Sequence, residues 1–278
     1  DDEDGAKAQA RANIDAWWPH LDDIEAILVN ASGCGVMVKD YGHLLRLDPD
    51  YAERAARVAS LARDPVEWLP QAIEAAARAG HNCLVHHENL TWPYPGIASR
   101  HEPSELAWPT NARRLELLKR HGMTAVRLHD TADKLCVYRA FADQLQLRAR
   151  PGGPWYAHRL YDAPVPTFGR LIDHVKRCMG MAALRVSTHP ADSPISAIGL
   201  PWGGLGLFVN VGYQQRLVEM GCDALIAGES DDYGFRFGAA LGIPLIETSH
   251  VFSENPGLHR FAGMLSERFP DLPVHYYE

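Results

Sequence analysis

The chain has 278 residues, of which 46% are hydrophobic and 22% charged, and its formal net charge is −8. This composition is typical of a globular protein with a large core, and the acidic balance argues against nucleic acid as a partner, because phosphate binding needs concentrated positive charge. No apolar run reaches the roughly 18 residues of a membrane span, so we expect no membrane partner. The acidic first residues do not resemble a signal peptide and the five cysteines form no close pair, which predicts a cytoplasmic protein with reduced thiols.

Strand and helix signals alternate in the first half of the chain. Asp48 and Pro49 supply an N-cap and a first-turn proline, and the apolar stripe that follows predicts a helix over 51–63. Proline and glycine crowd the segment 148–154, which we interpret as an internal linker. The other predicted elements in this half are a strand at 26–30, a strand at 82–86, a helix at 109–122 and a strand at 124–128.

The second half of the chain repeats the alternation. Thr167 and Gly180 bound a predicted helix over 167–180, and Asn255 with Pro256 predicts the start of a last helix that ends near Pro270. Such alternation predicts an α/β fold with largely parallel sheets and covering helices. Short apolar runs predict five strands in this half, at 182–186, 195–199, 207–211, 224–227 and 243–246.

Four of the predicted strands are followed by histidine or carboxylate side chains. Because the carboxyl ends of parallel strands meet at one edge of a sheet, we expect these side chains to form one site. Nitrogen and oxygen ligands without thiolate suit Zn, Mn or Fe, and such a set can bridge two ions. The residues are His86, His87 and Glu88 after the first strand, His129, Asp130 and Asp133 after the second, Glu229 after the third, and His250 and Glu254 after the fourth.

Each of these residues also has an ordinary structural alternative. Neighbouring side chains on a strand point to opposite faces, so His86 and His87 reach one site only if the strand ends there. The spacing of His250 and Glu254 fits any pair on one helix face, and Asp133 could be a helix N-cap. The metal hypothesis depends on their coincidence at one sheet edge.

The same motifs resemble a known family from about residue 71 to residue 278. The strand ending in His86 and His87, the His-x-x-x-Asp block at 129–133 and the segment 249–254 match the Nif-three-like proteins, the dinuclear-metal type 2 homologues of GTP cyclohydrolase I. Two departures occur: Ser249 stands where glycine is usual, and Asp130 is an additional carboxylate that could compete for metal. The resemblance implies two divalent ions, Zn, Fe or Mn, held by His86, His87, Asp133, His250 and Glu254.

That resemblance also implies a function and an assembly. We expect a two-part architecture and a metal-dependent hydrolase of a small polar, nucleotide-like or phosphorylated substrate, in a homo-oligomer that is typically a hexamer. From their positions we assign proton transfer to Glu229 or His129. The chain has no Gly-x-x-x-x-Gly-Lys-Ser/Thr loop, so no independent nucleotide signature supports the substrate. The alternative is a metal-binding regulatory or scaffold protein without turnover.

The N-terminal residues 6–69 resemble a different family. Segments 12–18 and 30–45 are similar to part of the cysteine-rich domain of the iron–sulfur subunit of glycolate oxidase. No Cys-x-x-Cys-x-x-Cys motif occurs and only Cys34 represents the cysteine-rich motif, so we expect no iron–sulfur cluster and little support for electron transfer. The sequence predicts a seam at 67–71 and three parts, 1–69, 70–150 and 151–278.

Overall fold

The computed structural model describes residues 3–22, 24, 27–28, 37–63, 65–92, 102–153 and 157–277. Contacts divide the chain into two compact units, Asp1–Arg127 (unit 1) and Leu128–Glu278 (unit 2). The boundary precedes the predicted linker at 148–154, whose first two residues pair within the sheet of unit 2. No helix in these described ranges combines the length and the apolar character needed to cross a membrane.

The described residues of unit 1 form two separate two-stranded parallel sheets and the helices around them. Strand β1 pairs with β2, and β3 pairs with β4. The strands are β1 Ile27–Leu28, β2 Ala62–Arg63, β3 Cys83–His86 and β4 Thr124–Arg127. The helices are α1 Glu3–Trp17, α2 Tyr41–Leu44, α3 Ala52–Leu61, α4 Pro65–Arg78, α5 Pro103–Leu106 and α6 Pro109–Arg120, with a 3₁₀ turn at Trp18–His20.

Two apolar clusters stabilise unit 1. Ile14, Leu45 and Val58 belong to the first, which joins α1, α2 and α3. The second lies between α4 and α6 and contains Ile73 and Leu117. The segment that resembles the glycolate oxidase subunit therefore has its own buried cluster, and its strand β1 pairs with β2. The part of that resemblance at 29–36, which includes Cys34, lies outside the described residues.

Unit 2 is built on one six-stranded mixed sheet in the order β5-β6-β8-β9-β10-β7. Strands β8, β9 and β10 are parallel at its centre, and the other pairings are antiparallel. The strands are β5 Arg148–Ala149, β6 Leu160–Asp162, β7 Arg185–Val186, β8 Ala197–Gly199, β9 Ala224–Ala227 and β10 Leu245–Glu247. The helices are α7 Asp130–Ala132, α8 Tyr138–Gln144, α9 Phe168–Met179, α10 Val211–Glu219, α11 Asp232–Ala240 and α12 His250–Arg268, with a π-helical turn at Asp133–Val137 and 3₁₀ turns at Gly203–Leu205 and Phe208–Asn210.

The central strands of unit 2 are apolar because both of their faces are covered. All four residues of β9 are buried, and Ile198 and Ile246 on its neighbours share a core with Leu171 of α9. Helix α9 ends where Gly180 adopts a left-handed backbone, with φ of 65°. These features confirm the predicted α/β class with covering helices.

Two predicted elements of unit 2 are wrong. The apolar run at 207–211 is a 3₁₀ turn followed by the start of α10, and its Val209 is 83% exposed. An apolar run does not reveal whether its side chains are buried. The last helix begins at His250 and contains Pro256 in its interior, where the sequence pattern predicted a start. Proline is usually a helix start or stop, but packing of α12 against the π-helical turn keeps the chain helical.

Gly257 allows that packing. A Cβ atom at Gly257 would overlap the Val137 backbone, so the two segments approach as closely as they do because no side chain stands between them. We predict that Gly257→Ala destabilises the protein by about 1–3 kcal/mol through overpacking. Gly263→Ala on the same helix meets no atom within 4 Å and should stabilise it by about 0.5–1 kcal/mol. Urea denaturation checks both, and equal effects of the two variants would contradict this packing.

Candidate metal centre

Asp133 is a buried carboxylate at the start of the π-helical turn of unit 2. Its residue is 6% exposed, and its Oδ1 atom accepts a hydrogen bond of 3.1 Å from the Trp202 indole Nε1. Its Oδ2 atom lies 3.6 Å from Nδ1 of His129. His129 Nδ1 is also 2.9 Å from Oδ1 of Asp130, whose side chain is 68% exposed. The two neighbouring carboxylates therefore differ: Asp133 is buried in the site and Asp130 faces solvent.

His250 and Glu254 lie one turn apart at the start of α12. The imidazole Nδ1 is 2.9 Å from Oε2 of Glu229, and Nε2 is 3.2 Å from Oε1 of Glu254. When Nδ1–H donates to Glu229, Nε2 presents a lone pair towards the Glu254 carboxylate. Ligand atoms about 2.1 Å from one tetrahedral ion are separated by about 3.4 Å, so this spacing fits two ligands of one cation.

A glycine-rich turn after β8 sets the position of these side chains. Gly203 has φ of 52°, and its missing Cβ leaves the space that the Glu254 carboxylate occupies. The Gly203 amide donates to Oγ of Ser253 at 2.9 Å, and the Ser253 hydroxyl donates to the His250 carbonyl at 2.7 Å. The first turn of α12 is therefore fixed to the turn at Gly203–Leu205.

Ser249 has a backbone conformation that favours glycine. Its φ is 83° and its ψ is 142°, and it directly precedes His250. A residue other than glycine in this region costs roughly 1–3 kcal/mol. The resembled family usually has glycine at this position, and the positive φ of the backbone explains that preference. This chain keeps the same conformation with serine.

In unit 1, the two histidines predicted as ligands lie at the end of β3, where His87 is the first residue after the strand. His86 is the last strand residue, and its Nδ1 lies 2.7 Å from the Glu88 carbonyl oxygen. Burial lowers the pKa of the His86 imidazole, which favours the neutral form that ligates metals. His87 is 4% exposed, and its carbonyl accepts from the Arg127 guanidinium at 3.1 Å.

Helix α6 fixes the chain that follows these histidines. The Asn111 amide accepts from the Trp92 backbone N–H at 2.8 Å and donates to the Trp92 and Glu105 carbonyls. Arg114, which is 1% exposed, donates to the Leu90 carbonyl at 2.6 Å. Asn111 thus binds both the N–H and the carbonyl of Trp92, and Arg114 binds the carbonyl of Leu90. These hydrogen bonds hold the segment after His87 in one conformation.

The electrostatics of unit 2 favour a cation beside Asp133. Burial raises the pKa of Asp133 to about 6, and the Glu254 and Asp130 carboxylates act in the same direction. The hydrogen bond from Trp202 and the nearby His129 imidazole partly oppose this rise. Positive charge favours the ionised form of a carboxylate whose pKa is raised by burial and by neighbouring carboxylates, and a divalent ion beside Asp133 would supply that charge.

A cleft of about 410 Å³ adjoins the start of α12 in unit 2. Thr248 and Ser249 line it with Arg185 and Glu247. Arg185 contacts Glu247 at 3.1 Å and Asp232 at 2.7 Å, so two carboxylates already balance its charge. Burial raises the pKa of Glu247, and the adjacent Arg185 opposes that rise. Among the described residues that line it, this cleft offers no unbalanced positive charge for a phosphate.

Unit 2 thus brings together several of the residues predicted from the sequence. Asp133, His250 and Glu254 lie around the turn at Gly203–Leu205. Glu229 contacts His250, and His129 lies 3.6 Å from Asp133. His86 and His87 belong to unit 1, where they follow one strand end. Sequence reasoning missed Trp202, Gly203 and Ser253, although two successive glycines in the turn that follows an apolar strand are a signal of close approach by another group.

Fold and site together define an α/β protein with histidine and carboxylate groups suited to divalent metal. The chain belongs to the Duf34/NIF3 (NGG1p interacting factor 3) family, whose model matches residues 56–278. The match begins before the predicted start of the resemblance at residue 71, and the predicted family is confirmed.

Solved structures with this fold include three with low sequence identity. The protein ybgI, of unknown function, is 18% identical with a TM-score of 0.59, covering 75% of this chain and 80% of that one. A Bacillus cereus protein related to NIF3 is 12% identical with a TM-score of 0.57, covering 74% and 82%. A Staphylococcus aureus hypothetical protein, SA1388, is 14% identical with a TM-score of 0.55, covering 72% and 77%. At these identities the similarity shows the fold alone.

Two curated relatives match a short part of the chain. The Escherichia coli (strain K12) glycolate oxidase iron–sulfur subunit is 49% identical over 82 residues, which is 29% of this chain and 20% of that protein. The probable Bacillus subtilis (strain 168) counterpart is 40% identical over 58 residues, 21% of this chain and 13% of that protein. The chain therefore spans about a fifth or less of these relatives. Cys83, Cys136, Cys178 and Cys222 are free thiols.

The raised pKa of Asp133 predicts how stability depends on pH without metal. The folded-state value is about 6 and the ordinary value 3.8, so the folded protein holds this proton more tightly than the unfolded chain. This contribution is complete below the ordinary pKa and is lost as pH rises through about 6. We expect Asp133→Asn, in the presence of chelator, to stabilise the protein by as much as about 3 kcal/mol at pH 8 and by less at pH 5.

Urea denaturation between pH 5 and pH 8 measures this difference. The matched control is Asp130→Asn, three residues earlier, whose exposed carboxylate should change stability by less than about 0.5 kcal/mol. An Asp133→Asn effect that is the same at both pH values, or that is destabilising at pH 8 without metal, would contradict the electrostatic account.

Proposed function

We propose that the protein is a divalent-metal-dependent hydrolase that acts on a small polar substrate. The ligands that the family resemblance implies for the two ions are His86, His87, Asp133, His250 and Glu254, of which the last three belong to unit 2. One observation carries the proposal: His250 Nε2 and Glu254 Oε1 are 3.2 Å apart beside the buried Asp133, as expected for ligands of one cation. Family membership supports the same assignment.

The donor chemistry fits Zn, Fe or Mn, because the candidate ligands are imidazole nitrogens and carboxylate oxygens without thiolate. When bound, a pair of such ions polarises an ester or amide and lowers the pKa of water. The chain's own residues arrange this chemistry. Glu229 accepts from His250 Nδ1 and orients its imidazole, and the turn at Gly203 holds the Glu254 carboxylate in place.

Proton transfer falls to His129 or Glu229. His129 is about one-third exposed and its Nδ1 lies between Asp130 and Asp133, so it can exchange a proton with solvent beside the site. Glu229 is bonded to His250, which favours an orienting role for this carboxylate. We therefore assign the proton-transfer role to His129 first.

The substrate class that we propose is the one the family resemblance implies, and the charges near the site bear only on where such a substrate would bind. The adjoining cleft holds an arginine already balanced by two carboxylates, so a phosphate or other anionic group of the substrate would need the positive charge that bound ions supply. We propose a small polar substrate, nucleotide-like or phosphorylated, with its reacting ester or amide at the metal pair. The protein partner is a second copy of the chain, in the homo-oligomer that the family resemblance implies.

Metal content and turnover test the proposal on the full chain. After chelation and reconstitution with Zn, Mn or Fe(II), we expect about two ions per chain by elemental analysis, a higher melting temperature through binding linkage, and metal-dependent hydrolysis within a panel of nucleotides and phosphate esters. His250→Ala and Glu254→Gln should lower metal content, lower the metal-induced shift in melting temperature and abolish turnover.

Matched controls lie on the same helix. His259→Ala and Glu267→Gln remove the same chemical groups from exposed positions of α12 and should retain two ions and turnover. Wild-type metal content near zero under all three conditions would refute the metal site. Two bound ions with no turnover across the panel would instead contradict the hydrolase and favour the regulatory or scaffold alternative.

A further inference from the structure

The Trp202 indole donates a hydrogen bond to the Asp133 carboxylate. It is 4% exposed and lies 69 residues along the chain from Asp133, with Nε1 3.1 Å from Oδ1. An indole N–H is a donor and never an acceptor, so the carboxylate oxygen must be the acceptor. The bond therefore places one oxygen of Asp133 against the indole, and the other oxygen, Oδ2, turns towards the His129 side of the site.

The indole itself is held by packing. Its ring lies 4.5 Å from the Tyr138 ring and meets the Tyr213 ring edge-on at 6.1 Å. Tyr213 is anchored in turn, because its hydroxyl donates to the Ala157 carbonyl at 2.7 Å. A donor buried among aromatic rings has little freedom to follow a moving carboxylate, so the carboxylate adopts the orientation that the indole dictates.

The two residues after Trp202 contact the other candidate ligands of unit 2. Gly203 leaves space for the Glu254 carboxylate and bonds to Ser253, and a Cβ at Gly204 would lie 3.4 Å from the His250 ring. The backbone of Gly203 also accepts from the Glu229 amide at 2.8 Å. One short segment, Trp202–Gly204, thus lies against three candidate ligand side chains, Asp133, His250 and Glu254, which come from two different helical segments.

We propose that Trp202 is a positioning residue of the metal centre, which directs a single oxygen of Asp133 to the ion. This inference rests on the metal site proposed above. The indole N–H uses one lone pair of Oδ1 and fixes the orientation of the carboxylate, so that Oδ2 would bind the ion and Asp133 would act as a monodentate ligand. Without the N–H, the carboxylate can rotate and bind through both oxygens, which changes the coordination and weakens binding.

Trp202→Phe in the full chain removes the donor and keeps an aromatic ring. We expect the affinity for Zn²⁺, measured by competition with a chelator, to fall about 10- to 100-fold, and the visible absorption of the Co²⁺-loaded protein to change in position or intensity. Tyr213→Phe is the matched control, since it removes a hydrogen bond from the same aromatic cluster without touching Asp133. It should keep the wild-type Zn²⁺ affinity and the wild-type Co²⁺ spectrum.

Each outcome is decisive for one claim. If the wild-type protein binds neither Zn²⁺ nor Co²⁺, the metal site itself is refuted. If the wild-type protein binds Zn²⁺ and Co²⁺, and Trp202→Phe leaves the Zn²⁺ affinity and the Co²⁺ spectrum unchanged, the metal site stands and only the proposed role of Trp202 is overturned. Equal losses in Trp202→Phe and Tyr213→Phe, with an unaltered Co²⁺ spectrum, show a packing role and also overturn it.

A second measurement covers the case in which Trp202→Phe does not fold. In wild-type protein with ¹⁵N-labelled tryptophan, we expect one indole N–H signal that exchanges slowly with solvent and shifts when Zn²⁺ is added. A spectrum in which no indole signal responds to Zn²⁺ would overturn the proposal.

Discussion

Burial of carboxylate charge in unit 2 is the constraint on which the rest of the site depends. Asp133 and Glu254 are each less than a tenth exposed. The pKa of Asp133 is raised first by its own burial and further by the charge of Glu254. Carboxylates in such a position are unfavourable for folding unless positive charge or hydrogen bonds offset them. The arrangement is explained if the site is built to hold a cation and not to stabilise the metal-free chain.

The surrounding structure fits that interpretation. A π-helical turn presents Asp133, a left-handed glycine makes room for Glu254, and Ser249 holds a conformation suited to glycine directly before His250. Each is a local departure from regular geometry, and departures of this kind concentrate at functional sites. The close contact of Gly257 with the Val137 backbone keeps the two helical segments that carry these ligands in fixed register.

The sequence allowed much of this to be predicted, for physical reasons that differ between elements. Strand β9 is a continuous buried apolar run, β10 begins with the buried pair Leu245 and Ile246, and α9 ends at a glycine with positive φ, so local patterns were sufficient. Val209 shows the limit of such patterns, since it is apolar and yet almost fully exposed.

The candidate ligands were found from their position after strands, which places polar groups at a sheet edge. The contacts of Trp202 and Gly203 could not be predicted in this way. Trp202 acts through one N–H on a residue distant in sequence, and Gly203 acts through the side chain it lacks. The predicted helix start at Pro256 was wrong for a related reason, because tertiary packing of α12 overrides the usual position of proline in a helix.

The central claim is that unit 2 binds a cation beside Asp133 and Glu254. The most direct test is a crystal structure of the Zn²⁺-loaded full chain with anomalous diffraction data at the zinc edge. The account predicts two anomalous peaks about 3.5–4 Å apart, with Oδ2 of Asp133, Nε2 of His250 and Glu254 in contact with them at about 2.0–2.2 Å. Zinc bound elsewhere on the chain, or peaks that touch neither Asp133 nor Glu254, would contradict it.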